Sequence, residues 1–150
     1  MLPAEFLGSS KVIIVAGKGG VGKTVVSAAL ASAAADAGLR TLLVEIEGRA
    51  GLASLFGVEP FAYDEVELTT AAGSTIHARA LTANEALLEY LDDHGLRRVS
   101  RRLIHTGALD VVATTAPGIR DILLLAKIKQ LEHEGNADLI VVDAPAAGHA

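Results

Sequence analysis

Apolar positions fall along this chain in two rhythms. Three short and nearly unbroken runs, KVIIVA (Lys11 to Ala16), TLLVEI (Thr41 to Ile46) and LIVVD (Leu139 to Asp143), are rich in β-branched residues and leucine. Runs of this kind, without polar alternation, predict strands buried on both faces, as in a parallel sheet sandwiched by helices. STIHARAL (Ser74 to Leu81) predicts a further strand. Between the first two runs, TVVSAALASAAADAG is rich in alanine and ends at Gly38, a residue suited to stop a helix. Its small side chains would let that helix lie close to the sheet. TANE (Thr82 to Glu85) matches a capping box at the head of EALLEYLDDHG, which Gly95 can end. PGIRDILLLAKIKQLEHEG places Pro117 near a helix start and Gly135 at its stop. Strands alternating with helices predict one α/β domain, a doubly wound and mostly parallel sheet with helices on both faces. There is no internal repeat and no low-complexity linker.

Composition narrows this picture. A chain of 150 residues that is 51% hydrophobic suits one such unit with a substantial core. A net charge of −5 argues against a generic nucleic-acid binder. The one basic cluster is LRRVSRRLI, where Leu96, Val99 and Leu103 fit a single helical face. Arg97, Arg98, Arg101 and Arg102 are then expected on a solvated or interface edge, with an anionic partner or a membrane surface as the alternative. Without cysteine, these residues offer no disulfide and no thiolate metal site. MLPAEFLGSS lacks a basic, apolar leader, and no apolar run approaches the roughly 18 residues of a membrane span, so a cytoplasmic location is expected. DAPAAGHA stops directly after a strand-like run. Residues 1–150 are accordingly expected to be the N-terminal part of one longer domain.

The candidate chemistry sits in GKGGVGKT, Gly17 to Thr24, which satisfies G-x-x-x-x-G-K-[ST]. A glycine-rich loop after a strand turns backbone N–H groups toward phosphate, and the following helix points its positive end at the same place. Gly17, Gly19, Gly20, Val21, Gly22, Lys23, Thr24 and Val25 are the expected nucleotide-binding positions. Lys23 would meet the β and γ phosphates, and Thr24 would ligate Mg²⁺. Asp143, ending a buried strand, is the second candidate for Mg²⁺. Lys18 is surplus to this pattern, because a side chain so early in the loop tends to point away from the phosphates its own loop holds. Presented by a second subunit it could reach a γ phosphate, as a lysine version of the arginine finger, a contribution worth roughly 10³ to 10⁵ in rate.

GKGGVGKT resembles the deviant phosphate-loop signature K-G-G-x-G-K-T of the dimeric ATPases that include the ArsA/Get3 type, the ParA and MinD type and the nitrogenase iron protein. VVDAPAAGH resembles the D-T-A-P-T-G-H segment of the ArsA/Get3 branch, matching at Asp143, Gly148 and His149, with the proline displaced by one place and Ala147 replacing threonine. TANEALLEYL and APGIRDILLLAKIK are similar to that branch's I-D-P-x-A-A-L and I-P-G-I-D-E-A regions. The resemblance implies a P-loop fold, ATP and Mg²⁺ as ligands, and Lys18 acting across a homo- or heterodimer of such subunits. It also implies hydrolysis coupled to an unidentified client, protein or anion. Adenine contacts and the client site are expected beyond residue 150. The missing cysteines speak against the iron protein, and a ParA/MinD-like partitioning ATPase is the closer alternative.

One segment departs from the branch. Where it usually has D-P-A-H-N-L-x-D-x-F-G after the second strand, this chain has EGRAGLASLFG, Glu47 to Gly57. Glu47 replaces the water-orienting aspartate, Gly48 the proline, and Arg49 adds a cation. Glu47 is the expected catalytic carboxylate beside Lys18 and Lys23, and Glu45 is expected on the same side of the strand. Misplacement of such a group can cost roughly 10²-fold. The departure therefore raises a second reading, a nucleotide-binding, weakly hydrolysing regulatory subunit of a heterodimer.

Overall fold

The computed structural model describes residues 7, 11–19, 22–47, 51–115 and 118–145. Five strands form one sheet: β1 (Val12–Val15), β2 (Thr41–Ile46), β3 (Val66–Thr69), β4 (Thr75–Leu81) and β5 (Leu139–Asp143), in the order β1-β5-β2-β4-β3. The first four in that order run parallel, and β3 pairs antiparallel with β4. The described helices are α1 (Lys23–Asp36), α2 (Gly51–Phe56), α3 (Ala83–Asp93), α4 (Arg97–Thr106), α5 (Ala108–Thr115) and α6 (Ile119–Glu134).

Two of the three unbroken apolar runs are explained by what covers them, whereas β1, expected to be buried on both faces, is only partly covered, with Ile14 exposed. Every residue of β2 and β5 is buried. Because side chains alternate along a strand, Leu43, Leu139 and Val141 join Ala31, Ala34 and Ala35 of α1 and Leu52 of α2 on one face. Leu42, Val44, Ile140 and Val142 join Leu124, Ile128 and Leu131 of α6 on the other. The sheet is thus doubly wound, as expected. Ala31 and Ala34 are wholly excluded from solvent, so the alanines of α1 do set a close helix-to-sheet approach.

The punctuation also holds. Thr82 Oγ1 accepts the Glu85 N–H at 3.2 Å and donates to Glu85 Oε2 at 2.9 Å, closing the N-terminus of α3. Gly135 caps α6 in the left-handed conformation. Pro117 lies outside the described residues.

Three elements were not foreseen. β3 has four residues with only Leu68 buried, too little patterning to announce a strand. The six-residue α2 lies inside the segment compared with the family loop, and α5 follows α4 with only Gly107 between them. Of the expected helical face, Leu96, just before α4, and Val99 are each 44% exposed and Leu103 is half-buried, while Ser100 is the buried residue of this helix. All four arginines are exposed, as expected for a solvated edge.

Insertion of β5 between β1 and β2 is what positions the site. Val15 and Glu45 are the register partners of Asp143 on its two sides, so three parallel strands end together where the loop after β1 begins. In open α/β sheets that carboxyl edge is where ligands bind.

Candidate functional site

The loop leaving β1 enters α1 through Gly22, whose φ of +83° is a conformation that side-chain-bearing residues rarely adopt. No side chain caps α1 among the described residues, which leaves its first amides available to an anion. Gly20 and Val21 lie outside the described residues.

Three side chains of α1's first turns converge on one carboxylate. Asp143 is buried, and its Oδ1 lies 3.1 Å from Lys23 Nζ and 2.9 Å from Ser27 Oγ, while Oδ2 accepts from the Thr24 hydroxyl at 3.2 Å. A buried carboxylate without partners would cost several kcal/mol, roughly, and this arrangement avoids that cost. The Ser27 hydroxyl also lies 3.1 Å from the Lys23 carbonyl, so its one proton serves two acceptors. Ser27, fully buried, was missed by the sequence reading. Its signal was the i+4 spacing from Lys23 on an otherwise alanine-rich face.

A cavity of about 290 Å³ opens at this point. Lys18, Gly19, Gly22, Lys23, Thr24 and Val25 line one side of it, and Glu45, Ile46, Gly51, Asp143 and Pro145 the other. The structure therefore brings together most of the expected phosphate-loop positions with both expected metal-binding residues. Lys18 is exposed and lines the cavity, whereas Gly17 is not among its lining residues. A larger cavity of about 440 Å³ lies at the opposite end of the strands, lined by Arg40, Thr41, His77 and Glu134 among others, and shares no residue with the phosphate loop. The smaller cavity, with its convergent lysine, hydroxyl and carboxylates, is the candidate site.

Glu45, inside β2, and Glu47, just past its end, do not share a side, which corrects the sequence reading. Glu45 faces the cavity and accepts the Leu52 N–H on Oε2 at 3.1 Å. Glu47 lies beyond the strand's end at φ +58°, the only positive φ among the described non-glycine residues, and strand alternation stops there. A left-handed conformation costs a non-glycine residue about 1–2 kcal/mol. Glu47 Oε1 lies 2.8 Å from Arg120 Nη2 and accepts the Ala83 N–H at 3.4 Å, while its own N–H donates to the Leu81 carbonyl at 2.8 Å. The carboxylate thus points toward the starts of α3 and α6, off the cavity wall. Gly48, Arg49, Ala147, Gly148 and His149 lie outside the described residues.

The donor set suits a magnesium ion shared with phosphate. Thr24 and Asp143 offer hard oxygens side by side, and among the described residues no three His, Cys, Asp or Glu side chains converge. Magnesium typically takes one or two carboxylates from the protein and completes its shell with phosphate and water.

A second polar cluster ties the other face of the sheet together. The Lys127 ammonium of α6 donates to Glu89 of α3 and stands 5.8 Å from the Tyr63 ring, while the Arg79 guanidinium lies 4.5 Å from that ring. Burial works to raise the Glu89 carboxyl, but the Lys127 hydrogen bond, with Tyr63 and Arg79 adding to it, outweighs burial and holds it below its usual range. Burial, reinforced by Glu89, pushes the Tyr63 hydroxyl up; that hydroxyl lacks a partner at strict hydrogen-bond distance.

With the geometry in place, comparison with known proteins decides the branch. The model for the anion-transporting ATPase family matches residues 10–150. The chain belongs to that family, the ArsA/Get3 type of ATPase. ATPase BagA of Mycobacterium tuberculosis is 44% identical over 143 residues, covering 90% of this chain and 42% of its own length. ATPase ARSA1 of Chlamydomonas reinhardtii is 28% identical over 93% of this chain and 20% of its own, and ATPase get3 of Schizosaccharomyces japonicus is 26% identical over 94% and 42%. The chain thus spans less than half the length of these relatives. No described helix is long and apolar enough to cross a membrane.

Proposed function

We propose that the protein containing this ArsA/Get3-type segment is a Mg²⁺-dependent ATPase that works as a dimer and couples its nucleotide state to a client. The observation carrying this reading is the meeting of Lys23 and Thr24, at the head of α1, with Asp143 on the neighbouring strand, beside a cavity walled by the phosphate loop. In this reading Lys23 leaves Asp143 for the β and γ phosphates, and the α1 amides and the loop backbone cradle them. Thr24 and Asp143 hold the metal, which supplies charge neutralisation at the phosphates when bound. Lys18, exposed and lining the cavity, acts on the γ phosphate of the facing subunit. Glu47 orients the attacking water, and to do so it must first part from Arg120.

Phosphate release from Mg-ATP by the full-length protein tests this, with Lys23→Ala and Lys18→Ala beside it. Turnover that rises with protein concentration and collapses in both variants is the expected result. Turnover independent of concentration and intact in Lys18→Ala would overturn the dimeric mechanism. The Glu47–Arg120 pair specifically favours a second reading, a regulatory subunit that binds ATP but hydrolyses it slowly. Binding without turnover, relieved by a partner subunit, would select it.

A further inference from the structure

We infer that Glu45 supplies a second carboxylate to the divalent cation of this site, beside Asp143. The inference rests on the nucleotide-site reading above and goes beyond it, because sequence matching directs attention to Glu47. Glu45 and Asp143 are register partners on adjacent parallel strands, so both side chains leave the sheet on the same face at the same level. Both are nearly excluded from solvent, at 4% and 5%, yet both line the same cavity. The Leu52 N–H holds Oε2 and fixes the carboxylate's direction.

Charge balance supplies the reason. The ion pair of Lys23 goes to Asp143, and among the described residues Glu45 has no basic partner. A buried carboxylate without a counter-charge is strongly disfavoured. When phosphates draw Lys23 away, two carboxylates at register-paired positions on adjacent strands remain without a counter-charge, and neighbouring like charges repel. A divalent cation between them and the phosphates restores neutrality. Glu45 would act on it directly or through a bound water, as an oxygen ligand of the kind magnesium prefers.

The test reads metal affinity directly. Full-length wild type, Glu45→Gln and Glu47→Gln, each with saturating ADP, are titrated with Mn²⁺ and the free ion is followed by electron paramagnetic resonance. Glu45→Gln keeps a carbonyl oxygen for the Leu52 amide, so α2 retains its anchor. The expected result is a Mn²⁺ Kd raised roughly tenfold or more in Glu45→Gln, the range found when groups around a metal are altered. Fluorescent ADP binding in EDTA should be unchanged or tighter in the same variant, which also shows that it is folded. Glu47→Gln should keep the wild-type Mn²⁺ Kd. An unchanged Kd in Glu45→Gln would overturn the inference and leave Glu45 as the anchor of α2. Wild type that binds neither ADP nor Mn²⁺ would overturn the nucleotide-site reading itself.

Discussion

Arg120 at the start of α6 holds Glu47, one residue beyond β2, at 2.8 Å, although 73 positions separate them in the chain. The pair joins the end of the strand that carries Glu45 to a helix on the opposite face of the sheet. Arg120 and Glu47 side chains are 44% and 28% exposed, so the contact is worth at most about 1 kcal/mol. A contact that weak can be exchanged during a catalytic cycle. Arg120→Ala should therefore free Glu47 and raise Mg-ATP turnover by about 2–5-fold, the rate equivalent of that energy, with little loss of thermal stability. A fall in turnover at unchanged melting temperature would mean that Arg120 serves the reaction rather than restrains it.

Ser27 should matter as much as residues the motif names. Ser27→Ala removes one of three donors to a buried carboxylate, and a hydrogen bond to a charged group contributes about 1.5–3 kcal/mol. Urea denaturation should show a loss of that size. In an Asp143→Asn background the loss should shrink, since the charge that made the bond strong is gone. Equal losses in both backgrounds would detach Ser27 from Asp143.

The alanines of α1 set a clearance. Ala34→Leu puts three extra carbons where a fully buried alanine meets the sheet, and overpacking of this kind costs about 1–3 kcal/mol or more. Ala29→Leu, on the exposed side of the same helix, should be nearly neutral. Denaturation midpoints of the two variants distinguish them. Equal shifts would show that helix propensity, not clearance, explains the alanine content.

The Lys127–Glu89 pair predicts a pH dependence with a definite sign. Glu89 titrates lower in the folded protein than its ordinary 4.5, so its stabilising contribution is complete above that pH. It is lost as the pH falls from 4.5 through the lowered folded value. The stability difference between wild type and Glu89→Gln should be flat from neutrality down to about pH 5 and then close. A gap that persists to acid would mean that packing, not charge, carries the residue's effect.

How much of this was legible in the sequence depended on how local each signal is. β2 and β5 could be read because a strand buried on both faces must be apolar throughout, and α3 because Thr82 and Glu85 are only three residues apart; β1 was read from the same kind of run, although Ile14 is exposed. Lys23 and Thr24 followed from the phosphate-loop motif, and Asp143 from its place at the end of a buried strand. Glu47 misled because alternation was extended one residue past the strand, where a left-handed turn carries the carboxylate toward Arg120. That partner lies too far along the chain for any spacing rule to suggest it. Ser27 looked like one more small residue in a helix of alanines, and only the position of β5 gave its hydroxyl a role. Around α4, Leu96 and Val99 fit a helical face, but periodicity alone does not say whether anything packs against it.

The central place of β5 also governs how the site can come into being. Among the described strands, β1 pairs only with β5, through contacts such as Val12 with Ile140, and β2 reaches β1 only by way of β5. The phosphate loop is thus made early in synthesis and waits for a strand made more than a hundred residues later. Contacts so distant in sequence form late, because the intervening chain must first give up its freedom. Half-made chains can therefore display the lysines and glycines of the loop without Asp143 beside them, and the candidate site is assembled only once β5 enters the gap between β1 and β2.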